Sequence, residues 1–204
     1  MKVAIIGSGN VGKALGGSIA RAGHDVVLTA RDPEHARAAA EEIGAEAAPS
    51  NRDAVSGADV VILAVGYPIA VGEVAREIAE AAVGRVVVDV TNPVTPDLSG
   101  LATNGSSAAE ELQRTLPGAR VVKAFNTVFG SNQANPRPNV QVHLAADDAG
   151  AKQQVEQLAE SIGMTAIDAG GLSAARYLEG MALLNMQINA TQGGDWTSHW
   201  VLDR

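Results

Sequence analysis

Gly7, Gly9 and Gly12 carry the clearest chemistry in the chain. They form a G-x-G-x-x-G spacing directly after the apolar run Val3–Ile6 and at the start of an amphipathic segment. Strand, glycine turn and helix in that order make a cradle for phosphate. The first glycine permits a tight turn, the second lets backbone approach a pyrophosphate, and the third lets the helix pack closely on the strand. The unpaired N–H groups and partial positive charge of the helix start then face the anion. The whole loop, Gly7-Ser8-Gly9-Asn10-Val11-Gly12, therefore predicts a dinucleotide site.

The end of the second apolar run decides which dinucleotide. A chain that selects NAD usually places Asp or Glu there to accept from the ribose 2′-OH. Here the residues are Thr29-Ala30-Arg31-Asp32. The Arg31 guanidinium suits a 2′-phosphate, a charge-assisted contact worth roughly 1.5–3 kcal/mol. Thr29 and His35 are candidates for further hydrogen bonds to that phosphate. Asp32 stands beside Pro33 and is expected to begin the next helix rather than to accept from a ribose. The expected cofactor is NADP(H). Two later loops fall at carboxyl ends of strands, where ligands bind in open α/β sheets. The small residues Ala64, Val65 and Gly66 would admit the nicotinamide half. Asn92 either meets the cofactor or, before Pro93, simply makes a turn.

No catalytic acid or base is evident. Tyr67 and Tyr177 are the only tyrosines, neither has Lys four residues on, and the four lysines (Lys2, Lys13, Lys123, Lys152) lie outside the last helix. A reaction governed by placement of two rings, with hydride passing between nicotinamide and a flavin-like acceptor, needs no strong acid. The alternative is a dinucleotide-binding sensor or regulatory protein without turnover.

These residues need a scaffold of alternating strands and helices. Val3–Ile6, Val26–Thr29, Val60–Ala64, Arg85–Val90, Ala119–Lys123, Val140–Ala145 and Met164–Asp168 read as strands. Most are apolar on consecutive positions, as in a parallel sheet covered on both faces. Helices are expected along the Val11, Leu15, Ile19, Ala22 face and over Pro33–Ile43, Ile69–Ala82, Ser107–Leu116, Ala149–Ser161 and Ser173–Ala190. This order predicts an α/β fold: a Rossmann-type doubly wound, mainly parallel sheet with a C-terminal helix and short tail. Residues 1–204 are expected to form one domain, with 171–204 making dimer or substrate-pocket contacts. The last helix is apolar around more than one stripe, which predicts cover by a second copy in a homodimer. Trp196 and Trp200, four apart, are expected to share one face of a short turn, either walling a pocket or pinning the tail.

Composition narrows the partners. A formal charge of −8 without a Lys/Arg cluster argues against nucleic acid and anionic membranes. With no Cys, thiolate chemistry and disulfides are excluded, and the four scattered His lack metal-site spacing. No run approaches the roughly 20 apolar residues of a bilayer span, so a cytoplasmic location is expected.

Several segments together resemble one family: Gly7-Ser8-Gly9-Asn10-Val11-Gly12, Thr29-Ala30-Arg31, Val122-Lys123-Ala124-Phe125-Asn126-Thr127, and the run Asp168–Glu179. They are similar, over essentially the whole chain, to the deazaflavin-dependent NADP reductases. The resemblance implies hydride transfer between NADP(H) and the deazaflavin coenzyme F420, on a dimeric Rossmann protein. It also implies that Ser8, Asn10 and Val11 contact the pyrophosphate and that Thr29, Ala30, Arg31 and His35 surround the 2′-phosphate. Asn126, Thr127 and Val128 would lie near the stacked rings.

Overall fold

The computed structural model describes residues 1–203. In chain order, β1 (Lys2–Ile6), α1 (Asn10–Arg21), β2 (Asp25–Thr29), α2 (Pro33–Ile43), β3 (Glu46–Ala47), α3 (Asn51–Ser56) and β4 (Val60–Leu63) form the first half. A π-helical segment, Ala70–Val74, leads into α4 (Ala75–Ile78), followed by β5 (Val86–Asp89), α5 (Ala108–Thr115) and β6 (Arg120–Lys123). Then come α6 (Gly130–Ala134), β7 (Gln141–Leu144), α7 (Ala149–Ser161), β8 (Thr165–Asp168), a short 3₁₀ turn and α8 (Ala175–Gln192).

Six strands form one parallel sheet in the order β3-β2-β1-β4-β5-β6, and β7 pairs with β8 in a separate parallel ladder. A single antiparallel bridge, Lys123 to Ala145, ties the ladder to β6. Alternation along each strand sends side chains to two cores. Val3, Ile5, Val60 and Ile62 meet Leu15 and Ile19 of α1 and Val155 and Leu158 of α7. Ala4, Ile6, Val61 and Leu63 meet Val55, Ile78 and Leu112 on the other face. Helices on both faces explain the consecutive apolar residues of β4 and β5, which are buried at every position. The expected doubly wound fold is therefore what forms. Among the described residues no helix is long and apolar enough to cross a membrane, and no group of side chains could hold a metal ion.

Local signals set the helix ends. Asp32 caps α2 by accepting from the Glu34 N–H, Pro33 occupies the first turn, and Gly44 ends the helix at φ 71°. Elsewhere the boundaries differ from expectation. The helix expected over Ile69–Ala82 begins as the π segment and leaves α-helical geometry after Ile78. The last helix begins at Ala175, after the 3₁₀ turn, and runs to Gln192, where Gly193 at φ 63° stops it. β3, α3 and α6 were not anticipated, being too short and polar to show a period. Ala22, assigned to the apolar face of α1, is the exposed C-cap.

The tail does not form the expected helical turn. Trp196 sits at φ 57°, and the chain runs extended across α6, α8 and β7. Side-chain amides hold it: Asn132 donates to the Thr197 carbonyl at 2.7 Å and Asn189 to the Ser198 hydroxyl at 2.7 Å. The Leu202 N–H donates to Gln141 at 2.6 Å. The Trp196 ring meets Phe129 edge-on at 5.4 Å, and the Trp200 indole donates to the Met181 carbonyl at 3.1 Å. Both tryptophans thus pin the tail to its own chain, because two glycines end the helix and buried amides offer partners to extended backbone.

Candidate functional site

The sheet order reverses between β1 and β4, so the loops leaving these strands diverge and open a crevice. A cleft of about 800 Å³ lies there. Gly7–Gly9, the β2 tip at Ala30 and Arg31, His35 on α2, and Ala64–Gly66 all line it. A smaller concavity of about 490 Å³ lies at the amino ends of β1 and β2, around Lys2, His24 and Glu46. It has none of the carboxyl-end loops, and the larger cleft is the candidate.

The three glycines meet three different demands. Gly7 has φ 116°, and a Cβ there would lie 2.5 Å from the Ala64 carbonyl oxygen. A Cβ on Gly12 would lie 1.9 Å from the Gly7 oxygen, so only glycine lets α1 start this close to β1. Gly9 is unlike both. Nothing lies within 4 Å of its Cβ position, so the space a side chain would take is left to the cleft. Gly9 is also the N-cap of α1 and provides no side-chain cap. The first N–H groups of α1, at Asn10, Val11 and Gly12, have no partner within the helix, although none of these three residues lines the cleft and Gly12 is buried. A helix start facing unfilled space fits a diphosphate.

At the β2 tip, Arg31 is exposed and, among the described residues, makes no hydrogen bond or ion pair. Asp32 is engaged in capping, with the His35 Nδ1 3.6 Å from its carboxylate. Thr29 departs from expectation. It is 1% exposed, and its hydroxyl donates to Asn51 Oδ1 at 2.6 Å. Thr29 is the last residue of β2, held to α3 by that bond, and it does not line the cleft although Asn51 does.

Asn92 and Asn126 lie outside this cleft and bind each other. Asn126 Nδ2 donates to Asn92 Oδ1 and to the Leu178 carbonyl, and Asn92 Nδ2 donates to the Asn126 carbonyl, each at 3.0 Å. The loops after β5 and β6 are thereby locked together and onto α8. Phe125, in the same loop, is fully buried at φ 62°, and Gln133 donates to its carbonyl at 3.1 Å. Thr127 and Val128 are also buried.

Sequence reasoning missed an ion cluster beneath these loops. Lys123 Nζ lies 2.8 Å from Asp89, 2.9 Å from Glu179 and 2.7 Å from the Thr91 carbonyl, with all three side chains fully buried. Glu179 also accepts from the Ala108 N–H at 2.9 Å. Burial holds the Glu179 carboxyl above the usual carboxylate range, against the pull of Lys123. Lys123 and Asp89 end apolar strands, a signal that these charges need partners, but Glu179 comes from α8. The Tyr67 phenol donates a hydrogen bond to Glu111 at 3.0 Å. Burial, and then that bond, raise its pKa, and Tyr67 does not line the cleft.

A six-stranded sheet in this order, with a glycine cradle at its switch point, defines a Rossmann-type dinucleotide-binding fold. The family model described as NADP oxidoreductase, coenzyme F420-dependent, matches residues 2–93. The F420-dependent NADP reductase of Methanothermobacter marburgensis is 33% identical over 208 residues, covering 93% of this chain and 92% of that protein. The chain belongs to this reductase family. A solved structure from Arthrobacter sp. FB24, provisionally designated an F420-dependent NADP-reductase, superposes with a TM-score of 0.87 at 29% identity, covering both chains fully. The metalloreductase STEAP3 of Rattus norvegicus is 32% identical over 89% of this chain. The chain spans about a third of that relative's length, 36%.

Proposed function

We propose that this protein transfers a hydride between NADP(H), held in the switch-point cleft, and the deazaflavin F420 or a flavin-like acceptor. One observation carries the choice of NADP(H): the Arg31 guanidinium, unpartnered among the described residues, lines the cleft with the glycine cradle, while Asp32, which also lines it, caps α2 through Oδ1 and has His35 3.6 Å from its other oxygen. In this reading the N–H groups of Asn10, Val11 and Gly12 hold the pyrophosphate, with Gly7, Ser8 and Gly9 shaping the cradle. Arg31, with Ala30 and His35, holds the 2′-phosphate. Ala64, Val65 and Gly66 border the nicotinamide, which supplies the hydride chemistry when bound. Asn92 and Asn126 act indirectly, fixing the loops beside it. The whole chain serves as one cofactor-binding unit.

The reductase relatives named for F420 support the acceptor. Ring-to-ring hydride transfer depends on placement of the two rings and calls for no strong acid. Neither Trp196 nor Met181 lines the cleft, which favours an enzyme over a sensor whose pocket is filled by its own chain.

The test follows NADPH oxidation by purified protein with F420, FMN, a ferric chelate or no acceptor, using NADH as the paired control. Rapid NADPH-dependent reduction of F420 is expected. In Arg31→Ala the NADPH preference should fall by about ten- to a hundredfold. Tight NADPH binding with no turnover on any acceptor would replace the enzyme by a sensor, and equal losses of NADPH and NADH binding in Arg31→Ala would remove Arg31 from the site.

A homodimer is part of the same reading. Tyr177, Leu184 and Ile188 are exposed along α8, at heptad-like spacings that put them on one face of the helix, and a second copy would cover them. Light scattering at micromolar concentration should give twice the chain mass; a single-chain mass would overturn the dimer.

A further inference from the structure

The far wall of the cleft presents a chemistry that the phosphate and Arg31 contacts leave unused. Pro49, Ile69 and Val74 give it an apolar lining, and Glu73 and Glu77 place two carboxylates beside them. Carboxylates in a cleft for a polyphosphate are unfavourable unless they face a hydrogen-bond donor. Neither has a cationic partner among the described residues, whereas Glu80 pairs with Arg52, Glu34 with Arg37 and Glu42 with Lys13.

Glu77 is also held in place from the protein interior. The buried Thr29 hydroxyl donates to Asn51 Oδ1 at 2.6 Å, which leaves the Asn51 amide nitrogen facing outward. That nitrogen donates to Glu77 Oε2 at 2.8 Å. The relay runs from the β2 end across α3 to α4 and orients a carboxylate whose remaining lone pairs are free to accept. This accounts for Thr29, which the phosphate reading alone leaves without a role.

We propose that Glu77, oriented through Asn51 and Thr29, accepts a hydrogen bond from the 6-amino group of the adenine ring and so selects the adenine dinucleotide. An adenine presents apolar faces and a donor edge, the complement of an apolar wall ending in an acceptor. A ring with a carbonyl at the same position offers no donor there and sets an oxygen against the carboxylate. The cleft is then polar along its length, with the helix start and Arg31 drawing phosphate at one side and Glu77 excluding it at the other. The inference rests on the NADP(H) reading of the cleft.

The test measures equilibrium binding of NADPH and of its deaminated analogue, reduced nicotinamide hypoxanthine dinucleotide phosphate, by nucleotide fluorescence. The unmodified protein should favour NADPH by about ten- to a hundredfold, the range of one hydrogen bond to a charged acceptor. In Glu77→Gln, whose amide can donate to the carbonyl of the analogue, the ratio should fall to within about threefold of unity. A purely structural Glu77 would change both affinities together and keep the ratio. Equal binding of both dinucleotides by the unmodified protein, or an unchanged ratio in Glu77→Gln, overturns the adenine contact alone. Binding of neither dinucleotide overturns the cofactor reading and the adenine contact together.

Discussion

Gly9→Ala is expected to lose NADP(H) binding by about a hundredfold, or ~2.7 kcal/mol, while melting close to the unmodified protein. The added methyl meets no protein atom within 4 Å, and the backbone at φ −73°, ψ −172° is ordinary for alanine. The fold therefore tolerates it, and the methyl occupies the space left for the pyrophosphate. Gly12→Ala should behave in the opposite order. Its Cβ would lie 1.9 Å from the Gly7 oxygen, and backbone must shift to accept it. A destabilisation of ~3 kcal/mol lowers the melting temperature by roughly 6–12 °C in a chain of this size. Parallel melting curves and NADPH titrations separate the two cases. A stable Gly9→Ala protein that binds NADPH normally would show that the cradle does not hold the pyrophosphate.

Lys123→Met is expected to cost about 3–5 kcal/mol of stability, because it leaves Asp89 and Glu179 buried without their cation. The deficit should depend on pH in a definite direction. Burial already holds the Glu179 carboxyl above the usual range, and removing Lys123 raises it further. A carboxyl whose folded pKa exceeds its unfolded value favours folding below the unfolded value. It loses that advantage as pH rises through the folded one. The gap in melting temperature between Lys123→Met and the unmodified protein should thus be smaller near pH 5 than near pH 8. A gap that is constant with pH would mean that the two carboxylates do not sense the loss. The cluster joins β5, β6 and α8 beneath the Asn92–Asn126 pair, so the variant should also loosen those loops.

The chain's own order of residues determined the architecture and the anion cradle. Consecutive apolar residues in Val60–Leu63 and Val86–Asp89 demand cover on two faces, and G-x-G-x-x-G between a strand and a helix leaves little other use. Both signals are local, as are the Asp32 cap and the Gly44 stop of α2. The short elements β3, α3 and α6 were hidden because two to six residues cannot establish a period. The tail was misread because spacing alone placed Trp196 and Trp200 on one helical face. Amide partners from Asn132, Gln141 and Asn189, distant in sequence, hold it extended.

Side-chain commitments were decided only in three dimensions. Sequence placed Thr29 beside Arg31, and both carry donors suited to phosphate. Only the approach of α3 turned the Thr29 hydroxyl to Asn51 and left Arg31 open. In sequence Asn92 is either a cofactor contact or a plain turn, and the resemblance sets Asn126 near the stacked rings; only the meeting of their loops pairs the two amides. Lys123, Asp89 and Glu179 form one buried cluster through contacts 34 and 56 residues apart in the chain. Periodicity and turn chemistry act through neighbours along the chain and so can be read from it. Hydrogen-bond partners and burial depend on which elements pack together, and that is fixed only when the sheet and its helices close.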